Sequence, residues 1–253
     1  YTMHEFIQMH LDSPASPGPV GHGYTPANIA NNTWHYTFDP SPQVLGIMLD
    51  TVNQGGGVGG SIGDNQLRWL EGQIQAVSSR YYDGNGNLVR TQNPDRLVVL
   101  FSHHNLITMD NFLPDPYDPV RHLAAKIIST LQRYPNVILW VNGHSHFNRV
   151  WAHVDESGQT GGFWEVNTAS HIDYPQQSRT IEITDNQDGT LSIFGILLDH
   201  AAPPTPPSVG PYSILDLASI SRELSANDPA HQVPVQIGVE SDRNVELVIQ
   251  KPF

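Results

Sequence analysis

A chain of 253 residues with 38% hydrophobic content is long enough to bury a sizeable core, and its 20 prolines point to a loop-rich fold. Twenty-five acidic against 12 basic residues leave a net charge of −13, which argues against nucleic-acid binding through phosphate neutralisation, since that needs a basic face. The absence of cysteine removes disulfides and thiolate–zinc sites, and no apolar run reaches the ~20 residues of a membrane span.

Residues 1–42 are dense in Pro, Gly, Asn and Ser, lack periodicity, and are predicted to form long loops. The opening "YTMHEFIQMH" has neither the basic start nor the apolar core of a signal peptide, and residues upstream of it are expected to be missing. "QVLGIMLD" (43–50) reads as a buried strand. In "DNQLRWLEGQIQAVSSR", Asp64 is placed to cap a helix whose Leu67, Leu70, Ile74 and Val77 share one face. "YYDGNGNL" is a turn-rich connection, and "RLVVLFS" (96–102) a second buried strand. "DPVRHLAAKIISTLQRYP" predicts a helix with Asp118 at the cap, Pro119 in the first position and Val120, Leu123, Ile127 and Leu131 on one face. "VILWVN" (137–142) is the third buried strand.

That alternation predicts βαβ units in an α/β fold with a largely parallel sheet. Beyond residue 148, "VWAHV", "GFWEVN", "RTIEIT" and "LSIFGILLD" are close together and predict an antiparallel meander. "AAPPTPPSVGP" (201–211) is a Pro-rich linker, followed by a helix near 212–225 and a strand in "NVELVIQ". The expected organisation is a main domain over 1–200, the linker at 201–211, and a helix–strand tail over 212–253 that packs on the domain.

The chemistry sits at two strand ends. "LVVLFSHHN" delivers His103 and His104 just past one strand, and "VILWVNGHSH" delivers His144 and His146 just past the next. In open α/β sheets, sites form beyond the carboxyl ends of strands, and imidazole is the commonest nitrogen ligand for transition metals. Gly143 lets the chain turn sharply, and the two-residue spacing lets the rings of His144 and His146 diverge toward two adjacent ions. His103 and His104 are consecutive and point to opposite sides of an extended chain, so only one is expected to ligate. A lone HxH is more often a surface or hydrogen-bonded pair; two such strand ends in a βαβ context favour metal.

A strand ending in "FSHHN", then one ending in "NGHSH", resembles the last two metal-binding motifs of calcineurin-like metallophosphoesterases. "GIMLDTVNQGGG…GSIGDNQLRWLEGQI" is similar to the segment preceding them in bacterial members, and "NTASHIDYPQQSRTIEI" to the stretch that follows. "LASISRELSANDP" and "DRNVELVIQ" resemble the tail of a bacterial subfamily of secreted or cell-surface phosphoesterases. The resemblance implies part of an α/β/β/α sandwich and a phosphate mono- or diester substrate. It implies two divalent ions (Mn, Fe or Zn) in the full-length parent, with His103 and His144 ligating one and His146 the other. The family's earlier motifs, DxH, GDxxD and GNH followed by an acid, are absent, and "GDNQL" (63–67) lacks the second Asp. The expectation is therefore the C-terminal half of a hydrolase, separated from the N-terminal half that completes its site. By itself it is expected to be inactive, with partial or no metal occupancy and no identifiable general acid. The alternative is a degenerate, non-catalytic binding protein with the same fold.

Asn105 and Asn142 are candidate hydrogen-bond partners behind the ligands, beside His104. His171 and Asp173 in "ASHIDYP", and His22 in "GPVGHGYTP", are candidates to border the substrate. His4, His10, His35, His122, His153, His200 and His231 have no partner spacing and receive no role. "GGGVGG" satisfies GxGxxG through Gly55, Gly57 and Gly60, but "TVNQ" separates it from the strand, and a mobile surface loop is the better reading than a dinucleotide site. "GGSIG" around Ser61 lacks the preceding strand of a nucleophile elbow. "NNT" at Asn31 matches a glycosylation acceptor, a frequent chance hit.

Overall fold

The structure, a computed structural model, describes residues 2–14, 19–229 and 233–253. The chain divides into two compact units, residues 1–140 and 141–253. The class is α/β, as expected.

The first unit opens with helices where long loops were predicted. α1 (Met3–Asp12) begins at a capping box: the Thr2 side chain accepts from the Glu5 N–H, and the Glu5 carboxylate accepts from the Thr2 N–H. At the start of α2 (Pro26–Asn31) the Asn28 side-chain oxygen accepts from the Thr25 N–H and hydroxyl, with Pro26 in the first position. Short helices are carried by their caps, and only Ile7 of α1 and Asn28 of α2 are buried. Composition hid these elements because their periodic stretches are shorter than three turns.

β1 (Tyr36–Ser41) pairs antiparallel with β2 (Val44–Met48). β3 (Ile62–Gly63) leads into α3 (Asp64–Ala76), whose Leu67, Leu70 and Ile74 are buried while Arg68 faces solvent. The cap of α3 is Gly63, and Asp64 lies one residue inside, in the first turn. The turn-rich connection is a small hairpin, β4 (Arg80–Tyr82) against β5 (Leu88–Arg90), closed by Asp83, which accepts from the N–H groups of Asn85 and Asn87. β6 (Leu97–Phe101) runs parallel to β2, with Val44 opposite Leu97 and Met48 opposite Phe101. This is the crossover predicted from the strand–helix–strand pattern.

The next helix is shorter than predicted. Residues 121 and 122 form β7 (Arg121–His122), antiparallel to β3, so α4 starts only at Ala124 and runs to Leu131, capped by Leu123. Asp118, expected to cap it, instead accepts from the backbone N–H of Asn65 and so serves the N-terminus of α3. Val120 is exposed, while Ile127 and Leu131 are fully buried as predicted. β8 (Val137–Asn142) has the predicted bounds, and its Ile138, Leu139 and Trp140 are wholly inaccessible to solvent. Burial of each such side chain is worth about 1.5–3 kcal/mol, so this strand is a principal source of core stability. β8 neighbours β6 in a sheet that mixes parallel and antiparallel pairs, which corrects the largely parallel expectation at its β1 edge.

The second unit carries the predicted antiparallel strands. β9 (Arg149–His153) pairs with β10 (Phe163–Asn167). β11 (Gln177–Asp185), β12 (Thr190–Asp199) and, after a helical stretch, β13 (Val245–Gln250) form a separate antiparallel sheet in that order. The helices are α5 (Ile214–Ala226), with a capping box between Ser213 and Asp216, and the short α6 (Val233–Ile237). Leu191, Ile193, Leu247 and Ile249 supply the buried face of the three-stranded sheet. No described helix is long and apolar enough to cross a membrane.

Candidate metal-ligand strand ends

The first unit presents its histidines just past β6. The two rings stand 4.9 Å apart at 85°, in edge-to-face contact, so they do not point to opposite sides as expected: the chain bends at residues 103 and 104 instead of staying extended. Their environments differ. His103 is exposed, whereas His104 is 5% exposed and clamped on both nitrogens. The Thr51 hydroxyl hydrogen-bonds its Nδ1 at 2.8 Å, and its Nε2–H donates to the Val58 carbonyl at 3.1 Å. A carbonyl can only accept, so His104 carries a proton on Nε2, and both of its nitrogens are engaged. Its backbone is held too: the Ser102 hydroxyl donates to the His104 carbonyl at 2.7 Å and itself accepts from the buried Trp140 indole N–H at 2.8 Å.

The clamp involves the glycine-rich loop. Val58 belongs to it, and a Cβ on Gly60 would come within 2.5 Å of the His104 ring. Asn111 donates to the carbonyls of Gly56 (2.7 Å) and Gly59 (3.0 Å), and the Asn53 amide donates to Leu113 at 2.7 Å. The expected mobile surface loop is therefore tied at several points to the segment after β6, and its glycines allow the close approach. Ser61 is fully buried and accepts from the Arg121 Nε–H at 2.8 Å.

The second unit presents Gly143–His144–Ser145–His146 just past β8. His144 (φ 70°) and His146 (φ 56°) both adopt left-handed backbone conformations, and Ser145 donates to the Gly143 carbonyl at 2.9 Å. Left-handed φ is uncommon outside glycine and costs on the order of 1 kcal/mol per residue. Backbone strain of this kind clusters at functional sites, which makes the turn a site candidate. Nδ1 of His146 meets the carboxylate of Asp173. His144 is half-buried.

The remaining candidates have defined places. Asn105 is fully buried and caps the turn after β6, its carboxamide oxygen accepting from the Thr108 N–H (3.2 Å) and hydroxyl (3.0 Å). Asn142 donates to Glu165 at 2.8 Å, while its own buried side-chain oxygen has no partner among the described residues. His171 is exposed in the turn that carries Asp173. His22, at φ 52°, is exposed in the first unit with its ring 5.4 Å from that of His10. His231 lies outside the described residues.

Three polar clusters escaped the sequence reading. Glu165, 1% exposed, accepts from the His153 ring at 2.6 Å as well as from Asn142. The signal was a lone acid inside the apolar run "GFWEVN", but its partner is on β9 and becomes adjacent only through strand pairing. His122 on β7 meets Asp64 at 2.8 Å, a contact with no sequence signal. A cavity of about 370 Å³ in the first unit is lined by His35, Asp50, Asp115, Asp118 and Arg121 among others. Burial there lowers the pKa of His35 to about 4, against an opposing effect of Asp118, and raises that of Asp50 to about 6, against the Val52 N–H that donates to it.

No known family profile matches the chain, and no curated protein does. Among solved structures it is similar to a dimetal phosphatase from Danio rerio, at 15% identity and a TM-score of 0.43. That overlap covers 66% of this chain and 59% of the other, so the chain spans about three-fifths of the length of the protein it matches. At that level the likeness is no evidence of shared chemistry.

Proposed function

We propose that this chain is the histidine-bearing part of a calcineurin-like, metal-dependent phosphoesterase acting on phosphate mono- or diesters. The observation that carries the reading is the tight turn after β8, which holds His144 and His146 in left-handed conformations directly beyond a buried strand. Further support comes from the histidine pair at the end of β6. His104 has both nitrogens engaged by Thr51 and Val58, so the reading takes His103 as the ligand at that strand end and keeps His144 as a ligand past β8. His146 is assigned to a second ion.

The donor chemistry fits divalent transition metals, because neutral imidazoles suit Zn and Fe, whereas Mn leans more on oxygen ligands. With 12 basic residues against 25 acidic ones, the chain is poorly supplied with cationic side chains for a phosphate, and metal charge would take their place. When bound, two such ions supply polarisation of the phosphoryl oxygens and a nucleophile at neutral pH. Imidazoles alone do not complete a two-metal centre, which also uses bridging carboxylates. The reading takes those from a preceding half of the same domain, regards 201–211 as a linker to the tail, and expects the 253 residues by themselves to be inactive. A bacterial secreted or cell-surface location is part of the same proposal.

The test has two arms. Zinc or manganese binding to this chain is measured by calorimetry against the H103A/H144A variant; the expectation is at least a tenfold loss of affinity in the variant. A version extended upstream is then assayed on a chromogenic phosphoester. Turnover that survives a chelator, or no turnover with Mn, Fe or Zn supplied, rules the proposal out.

A further inference from the structure

His146 and Asp173 are 27 positions apart in sequence, yet the Asp173 carboxylate meets His146 Nδ1. The Asp173 side chain is 16% exposed and that of His146 35%, so the pair is only partly open to water. A carboxylate only accepts, which places the ring proton on Nδ1. The other nitrogen, Nε2, has no hydrogen-bond partner among the described residues, and in the neutral ring it carries the lone pair.

Asp173 is itself held. Its carbonyl accepts from the Gln176 N–H at 2.8 Å, closing the turn on which it sits. The Gln176 side chain is buried and donates to Ser221 on α5 at 2.9 Å, and to the Ile172 carbonyl at 3.4 Å. Ser225, one turn further along α5, donates to the same carbonyl at 3.4 Å. The C-terminal helix thus braces the turn that carries Asp173.

We propose that Asp173 is a positioning residue that locks His146 as its Nδ1–H tautomer and presents Nε2 as the ligating atom. The assignment rests on reading His146 as a metal ligand, and it gives α5 a part in shaping the site. A ligating histidine whose other nitrogen donates to a carboxylate has a fixed ring orientation and a more basic donor atom, and loss of such a partner typically costs 10–100-fold in metal affinity.

The experiment uses the 253-residue chain with nitrogen-15-labelled histidine, metal-free, at pH 8. Long-range proton–nitrogen spectra, with the His146 signals identified by H146A, report which ring nitrogen is protonated. The expected result is Nδ1–H in the wild type, with D173A and D173N shifting His146 toward the Nε2–H form that free histidine favours. Zinc titration of the same samples is expected to show a 10–100-fold weaker site in D173A and recovery of most of the affinity in D173E. An Nε2–H signal in the wild type, or a tautomer indifferent to both Asp173 variants, overturns the inference. So does zinc affinity that falls in H146A but not in D173A. If the wild-type chain binds no zinc, Nε2 of His146 is not a ligating atom in this chain and that half of the inference fails, while the tautomer spectra still decide whether Asp173 sets the ring.

Discussion

Asp50 and His35 border one cavity in the first unit, and burial shifts their pKa values in opposite directions. Asp50 has a folded-state pKa of about 6, above the ordinary carboxylate value, because burial disfavours its charge. Its folded form binds more protons than the unfolded chain between pH ~4 and 6, so this group lowers stability as pH rises through that window. His35 has a folded-state pKa of about 4, below the ordinary imidazole value, also through burial. There the unfolded chain binds more protons between pH ~6.5 and 4, and stability falls as pH drops. The two slopes oppose each other. Relative to wild type, D50N should be more stable at pH 7 by on the order of 2 kcal/mol and lose that advantage by pH 4, one pKa unit being worth about 1.4 kcal/mol. H35F, which keeps an aromatic ring against Trp69, should gain relative to wild type as the pH falls below 6.5. Urea unfolding from pH 4 to 7 checks both, and a D50N–wild-type difference that does not change with pH would refute the Asp50 argument.

Among the elements, the glycine-rich loop and the start of α4 show how tertiary contacts override local pattern. The GxGxxG spacing drew attention for its phosphate-binding associations, but Gly60 is needed because the His104 ring lies against it. His104 cannot swing aside without breaking its bonds to Thr51 and Val58. G60A should therefore cost about 1–3 kcal/mol, the usual penalty for overpacking. G56A meets no steric obstacle but carries a left-handed φ of 108°, so its smaller penalty is conformational rather than steric. Thermal unfolding of both variants, with the NMR signal of His104 as a local probe, separates the causes: only G60A should move that signal. The predicted helix from Asp118 failed for a similar reason. Arg121 and His122 are drawn into pairing with Ile62 and Gly63, and Asp118 is left to serve α3. Strands such as β8, buried along their length, were legible to the residue because a continuous apolar run between turn signals admits few other structures. α1 was legible in principle: Thr2 and Glu5 spell a capping box, a signal outweighed by the loop-like composition around it.

For the whole molecule, a net charge of −13 means that surface repulsion opposes compaction. Raising sodium chloride from about 10 to 200 mM shortens the screening length from ~30 Å to under 10 Å and should raise the melting temperature. A fall over that range would show that the ion pairs, such as Arg96 with Asp39 and Lys251 with Asp185, outweigh the excess charge. Both pairs have an exposed partner, where each contributes little, so the repulsive term should dominate.

Read alone, the chain determined its α/β class, its buried strands and the placement of paired histidines just past β6 and β8, because hydrophobic runs and turn residues act over short separations. Only the tertiary structure decided that His104 is occupied on both nitrogens while His103 is exposed, that Asp173 reaches His146, and that Glu165 meets His153 and Asn142. Those outcomes depend on which side chains are brought within about 3 Å after the strands pair and the loops close, a distance that residue spacing along the chain does not encode.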